Sequence, residues 1–132
     1  MIIRRSVIAL VLILSAPMLS GCAALVLAGA AGAAGAGTVA YIKGELQTSK
    51  EVTLVRAYNA ASAAMRDMEF AIIEQDKDAV NAKVVAIGVD KKKIRINMKR
   101  VSDHLTQIKI RIGILGNESL SRLILERMQK YF

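Results

Sequence analysis

The chain divides into an uncharged front and a back in which apolar residues recur at regular intervals. No charged side chain occurs from Ser6 to Ile42. All eleven acidic residues, and every basic residue except Arg4 and Arg5, lie from Lys43 onward. Such a shift in composition indicates a membrane-related segment followed by one small water-soluble domain.

The back begins with a helical pattern, in which apolar residues recur at steps of three and four. The pattern predicts a helix from about Lys50 to Glu69, and its apolar stripe consists of Leu54, Val55, Tyr58, Ala61, Met65 and Met68. Thr48 and Glu51 have the spacing of a capping box, so we expect the helix to begin near Ser49. Residues 43–49 are then interpreted as a connector. The domain boundary is placed at its end, so that residues 22–48 form the Gly/Ala-rich segment with the connector and residues 49–132 form the soluble domain.

Four segments after this helix carry the signals of β-strands. They are Phe70–Gln75, Val80–Val89, Lys93–Val101 and Leu105–Ile114. Isoleucines alternate with basic residues in the last two segments, as in an antiparallel sheet with one buried face. We expect a turn at Asp90 and Lys91, and the short connections favour an antiparallel meander.

A closing helix is predicted from Glu118 to about Lys130, with Asn117 as its N-cap. Its apolar stripe consists of Leu120, Leu123, Ile124, Met128 and Tyr131. Two helices with apolar stripes can be buried by one apolar sheet face. The predicted fold is therefore α+β, a two-layer sandwich of helix, four-stranded antiparallel meander and helix, with both helices on one face. Gly113 and Gly116 flank the corner before the last helix and predict a tight turn there, or alternatively an anion-binding nest of amides.

The other face of the predicted sheet is rich in basic residues. Its cations on the last two strands are Lys93, Arg95, Lys99, Lys109 and Arg111. The formal net charge of the chain is +8, which suits anionic partners such as lipid headgroups, acidic polymers or acidic proteins. The face is interpreted either as a docking surface for such a partner or as a solvated face that prevents aggregation.

The front of the chain has the features of a secretory signal over residues 1–21. Arg4 and Arg5 precede the apolar run from Val7 to Leu14, and a small-residue site follows. Leu19-Ser20-Gly21-Cys22 resembles the lipobox of bacterial lipoproteins. That resemblance implies cleavage before Cys22 and a covalent lipid on its thiol; a plain transmembrane helix is the alternative. Ala23 stands where an aspartate retains some lipoproteins in the inner membrane, which favours the outer membrane.

Residues 23–42 form an uncharged run made mostly of alanine and glycine. Twenty such residues are long enough to cross a bilayer as a helix, and small residues let helices pack closely. Glycine also weakens a helix by about 1 kcal/mol per residue, which favours a tether lying near the headgroups. Both interpretations stay open.

The chain resembles a family of small bacterial lipoproteins of unknown function. The matching parts are Cys22, the Gly/Ala run, residues 39–46 (VAYIKGEL) and residues 111–118 (RIGILGNE). The resemblance covers nearly the whole mature chain and implies a lipoprotein with an α+β domain, but no activity.

The sequence contains no set of residues typical of catalysis. His104 is the only histidine, and Cys22, the only cysteine, is assigned to the lipid. Glu74, Asp76 and Asp78 alternate at a strand end without the glycine and distal glutamate of a calcium loop. The chain has few aromatic side chains for stacking on bases. We therefore expect no enzyme activity, no metal, no cofactor apart from the covalent lipid, and no nucleic acid.

These observations lead to two functional hypotheses. The first is a membrane-anchored envelope lipoprotein facing the periplasm, a non-enzymatic interaction module whose basic face meets membrane lipid, another anionic envelope component or an acidic periplasmic protein. The alternative is a membrane-inserting or self-assembling protein that acts through residues 23–42.

Overall fold

A computed structural model of the chain describes residues 38–132, which fold into an α+β domain of six strands and two helices. The strands are β1 (Val39–Ile42), β2 (Glu45–Lys50), β3 (Ala71–Lys77), β4 (Asn81–Ile87), β5 (Lys93–Ser102) and β6 (Leu105–Ile112), and the helices are α1 (Leu54–Asp67) and α2 (Glu118–Gln129). The predicted α+β class is confirmed. The predicted signal peptide, Cys22 and residues 23–37 of the Gly/Ala run lie outside the described residues.

All six strands belong to one antiparallel sheet, in the order β1-β2-β6-β5-β4-β3. The prediction of four strands is wrong in number, because a hairpin formed by β1 and β2 adds to the free edge of β6. The strands from β3 to β6 pair in chain order, as short connections favour.

The predicted connector at residues 43–49 is instead part of this hairpin. Lys43 and Gly44 form its turn with positive φ angles of 51° and 81°. β2 then pairs with β6 from Glu45, opposite Arg111, to Lys50, opposite Thr106. The sequence pattern concealed both strands, because β1 ends the uncharged run and β2 is short and mostly polar. Leu46 and Thr48 are nevertheless fully buried on the core side of the sheet.

Helix α1 begins five residues later than expected near Ser49, because Thr48 and Ser49 are held in the sheet. The Thr48 hydroxyl donates to the carbonyl oxygen of Thr38 at 2.7 Å rather than capping a helix. Thr53 is the N-cap, and its hydroxyl accepts a hydrogen bond from the backbone amide of Arg56 at 3.2 Å. Satisfying an otherwise unpaired amide in this way favours the start of a helix at Leu54.

The core lies between the two helices and one face of the sheet. Leu54, Ala61 and Met65 of the predicted α1 stripe are buried, whereas Val55 is 51% exposed. Further alanines of α1 complete its buried face, and small side chains allow the helix to lie close to the sheet. In α2, Ile124 and Met128 are buried as predicted, but Leu125 replaces Leu123, which is 45% exposed.

The predicted corner between β6 and α2 is confirmed as a tight turn. Gly113 and Gly116 have positive φ angles of 63° and 81°. β6 therefore ends at Ile112, two residues earlier than predicted. The Asn117 side chain accepts from the amide of Leu120 at 3.1 Å, as expected of an N-cap.

Candidate functional site

The five basic residues singled out by the sequence all lie on the sheet face that the helices leave uncovered. Lys93, Arg95 and Lys99 alternate along β5 with buried apolar residues, and Lys109 and Arg111 do so along β6. The pairing of the two strands sets Arg95 opposite Arg111 and Asn97 opposite Lys109. We call this side of the sheet, which neither described helix covers, the open face.

Side chains of the open face form rows across the strands β4, β5, β6 and β2. One row consists of Lys83, Asn97, Lys109 and Gln47, and the next of Asn81, Lys99 and Gln107. Lys99 and Lys109 therefore have amide side chains as neighbours on both adjacent strands, and Lys83 has Asn97 on one side. Because amides carry no charge, they separate the lysines and reduce the repulsion that like charges have when directly opposite.

These two rows line a concave groove with a volume of about 520 Å³. Its cations are Lys83, Lys99 and Lys109, its amides are Asn81, Asn97 and Gln107, and its carboxylates are Glu45 and Asp76. Ammonium and amide groups both donate hydrogen bonds, so the groove offers donors for an anionic group. We call it the open-face groove.

A third row has a different character, since two arginines stand side by side in it. The row contains Val85, Arg95, Arg111 and Glu45. The Arg111 guanidinium donates to the carbonyl oxygen of Ile114 at 2.9 Å, which directs it toward the loop after β6. Glu45, opposite Arg111 on β2, supplies a compensating negative charge next to the pair.

Several residues of the open face were missed by the sequence interpretation. Lys83 was absent from the predicted basic face because the segment around it is dominated by β-branched residues. Its alternation with Asn81 was the signal that would have placed it there. Glu74 and Asp76 were noted only as acidic residues at a strand end. In the structure Glu74 forms an ion pair with Lys83, and Asp76 lies opposite Lys83 on β3. They make the β3 side of the open face less positive than the sequence suggested.

The family model described as protein of unknown function (DUF3568) matches residues 5–131 of the chain. The chain belongs to the DUF3568 family. No curated protein is significantly similar to it. The match extends over the open face and all described elements of the DUF3568 chain. Within residues 38–132, no helix is both long and apolar enough to cross a membrane.

His104 and Asp78, two further polar residues considered from the sequence, lie in connections between strands of this DUF3568 chain. His104 is exposed in the turn between β5 and β6, where Arg100 forms an ion pair with Asp103. The Asp78 carboxylate accepts from the backbone amides of Asn81 and Val80, both at 2.7 Å, and these bonds lower the pKa of Asp78. Within the part of the chain that the structure describes, no group of three or more His, Cys, Asp or Glu side chains is arranged to hold a metal ion.

Proposed function

We propose that this protein is a lipid-anchored envelope protein whose α+β domain binds an anionic partner through the open-face groove. In this proposal the chain is cut before Cys22 and acylated there, and the domain faces the periplasm as a non-enzymatic interaction module. Ala23 after the cysteine favours the outer membrane over the inner one. The observation that carries the proposal is the uncovered sheet face, on which lysines and amides line one concave groove.

The anchor rests on the sequence around Cys22. Leu-Ser-Gly-Cys directly after an apolar run has the small residues that a lipid-transferring enzyme and its peptidase need near the cysteine. Each buried CH₂ contributes about 0.8 kcal/mol to membrane binding, so two or three acyl chains anchor a protein stably.

The proposed binding of an anionic partner rests on the charge and the shape of the groove together. A carboxylate or phosphate in it would be near several donors, and hydrogen bonds to ionised groups are about twice as strong as those between neutral groups. An acidic segment of a periplasmic protein fits this chemistry. The basic groups would also accelerate encounter with such a partner and make binding sensitive to salt.

Intact-mass measurement of the protein extracted from membranes tests the anchor. The expected species begins at Cys22 and carries the added mass of acyl chains. A Cys22→Ser chain should retain its signal peptide and lose the lipid mass. An uncut, unlipidated wild-type chain would contradict the anchor.

Site-specific photo-crosslinking in cells tests the groove. A photoreactive side chain at Asn97, in the middle of the groove, should capture a partner that mass spectrometry identifies as acidic. Capture should be lost when Lys83, Lys99 and Lys109, the three cations of the groove, are all replaced by glutamine, because the groove then has no positive charge to attract the partner.

The matched control neutralises three exposed basic residues of the helical layer, Arg56, Arg66 and Lys130. This variant has the same net charge as the first and should retain the crosslink. Equal capture by both variants, or a partner without acidic character, would exclude the groove as an anionic docking site. A photoreactive group at Asn59, exposed on α1, should not capture the same partner.

A further inference from the structure

Three loops meet at one end of the sheet, which we call the turn end. They are the β1–β2 turn at residues 43–44, the β4–β5 turn at residues 88–92 and the β6–α2 loop at residues 113–117. The strand pairing places them together, since Glu45 lies opposite Arg111 and Ile94 lies opposite Ile112. Gly44 also contacts the backbone of the β6–α2 loop directly.

The turn end exposes the most accessible large apolar side chains of the described residues. Val89 is 89% exposed, Ile114 is 87% exposed and Leu115 is 90% exposed. Each lies in a turn or loop rather than on a strand or helix. Because nearly all of each side chain is exposed, none of them contributes to the core. Three large aliphatic groups exposed at one end indicate an interaction surface rather than a requirement of the fold.

Basic residues accompany these apolar tips. Asp90, Lys91 and Lys92 follow Val89 in the same turn, which leaves this turn with one net positive charge, and Lys43 occupies the β1–β2 turn. A cleft of about 510 Å³ runs between the two longer loops, and Lys92, Lys93, Arg95, Ile114 and Leu115 line it. Aliphatic groups that enter the interfacial region, together with lysines at headgroup level, are the features with which peripheral proteins bind anionic bilayers.

We infer that the turn end is a membrane-docking edge that binds the surface of an anionic bilayer. Val89, Ile114 and Leu115 enter the interface, and Lys91 and Lys92 contact the lipid phosphates. This edge is distinct from the open-face groove. The inference rests on the proposed function in one respect, because the proposed lipid anchor is what keeps the domain at a membrane.

The number of residues between Cys22 and Thr38 is compatible with this orientation. Thr38, where the described chain begins, lies at the other end of β1 from the turn end. Fifteen residues lie between Cys22 and Thr38, so sixteen Cα–Cα steps join them. A fully extended segment of that length reaches about 53–58 Å, whereas the eight residues of β6 span about 27 Å. A lipid on Cys22 and the turn end can therefore reach the same bilayer.

Lipid-phase quenching of a fluorophore on the vesicle-bound full chain tests the inference. The label is placed at Leu115→Cys and, for comparison, at Val80→Cys, a 47% exposed apolar position in the turn at the opposite end of the sheet. Vesicles contain phosphatidylcholine and phosphatidylglycerol, and part of the lipid carries a quencher. Labelling the chain without an introduced cysteine measures how much fluorophore attaches to Cys22. Attachment there would show that the thiol is free and that the proposed acylation had failed.

Quenching at position 115 should exceed that at position 80 several-fold, and it should fall when phosphatidylglycerol is omitted. A Lys91→Asn, Lys92→Gln variant should lower it toward the level of position 80; asparagine is chosen because Lys91 has a φ of 59°. An Arg56→Gln, Lys77→Gln variant, which loses two cations at the opposite end, should leave it unchanged.

Equal quenching at positions 115 and 80 on vesicle-bound protein would overturn the inference and leave the lipid anchor intact. Quenching at position 115 that is unchanged when phosphatidylglycerol is omitted would overturn the charge-dependent docking. Capture of a protein at position 115 in cells, combined with no quenching by lipid, would assign the turn end to a protein partner instead.

Discussion

Among the glycines of residues 38–132, Gly116 has the least space for a side chain. Its φ is +81°, and an added Cβ would lie 2.6 Å from the Gly44 Cα and would overlap the Tyr41 hydroxyl. The contact joins the β1–β2 turn to the loop before α2. Both sides of this contact are backbone atoms of turns, so neither can move without disturbing the hairpin or the helix start.

Gly116→Ala should therefore destabilise the domain more than Gly113→Ala. At Gly113 an added Cβ meets only the flexible Lys92 side chain, at 3.5 Å, so the cost is that of a left-handed alanine, about 1–2 kcal/mol. Gly116→Ala adds a backbone clash to that cost. Urea unfolding of both variants measures the difference, and equal midpoints would mean that the hairpin and the loop separate easily.

Asp78 provides a second residue-scale prediction, which concerns pH. The amides of Asn81 and Val80 lower the folded pKa of Asp78 below its unfolded value. Its contribution to stability is therefore present above the unfolded pKa and is lost as the pH falls through the folded pKa. Asp78→Asn retains the acceptor oxygen but cannot titrate.

The difference in the free energy of unfolding between wild type and Asp78→Asn should accordingly shrink on going from about pH 6 to about pH 3. Urea titrations across this range measure it. If the two stability curves remained parallel, the carboxylate would have the same pKa in the folded and unfolded chains, and these two hydrogen bonds would not persist in solution.

At the scale of the element, α1 shows how a sheet selects among the residues of an apolar stripe. Helical spacing placed Val55 and Met65 on one stripe, but a helix lying on a sheet buries only the narrow strip that faces it. Met65 is fully buried, whereas Val55 is 51% exposed. The alanines at positions 57, 60 and 64, which the predicted stripe did not include, are buried instead.

Met65→Ala should cost about 2–5 kcal/mol, because it leaves a cavity in the core. Val55→Ala should cost about 0.5 kcal/mol or less, because most of the removed surface is already in water. Both substitutions introduce alanine into the same helix, so the two variants differ little in helix propensity. Similar losses, measured by urea unfolding, would contradict the packing of α1.

At the scale of the whole molecule, the β1–β2 hairpin determines where the folded domain begins. Leu46 of β2 is fully buried among core residues contributed by the other strands and both helices. Without the hairpin, β6 would be a free edge strand next to an open core, and such edges favour aggregation.

A fragment of residues 38–132 should therefore fold cooperatively, whereas residues 49–132, the domain expected from the sequence, should not. The dispersion of amide resonances and the cooperativity of urea unfolding would distinguish them. Equal stability of the two fragments would mean that the hairpin is an appendage of a domain complete without it.

The local pattern of the sequence was sufficient for much of this molecule. Strict alternation in β5 and β6 identified both the buried isoleucines and the five cations on the other face. Asn117 and the two glycines before it marked the start of α2. These features depend on backbone geometry over a few residues, and a single sequence contains that information.

Only the tertiary structure decided the features that depend on distant parts of the chain. β2 is stabilised as a strand by β6, about sixty residues later, so its own polar sequence could not reveal it. The open-face groove needs Lys83, Lys99 and Lys109 from three strands, and the turn end needs loops from three separate segments. Such placements follow from strand order and register, which the burial of a shared core determines and no local pattern encodes.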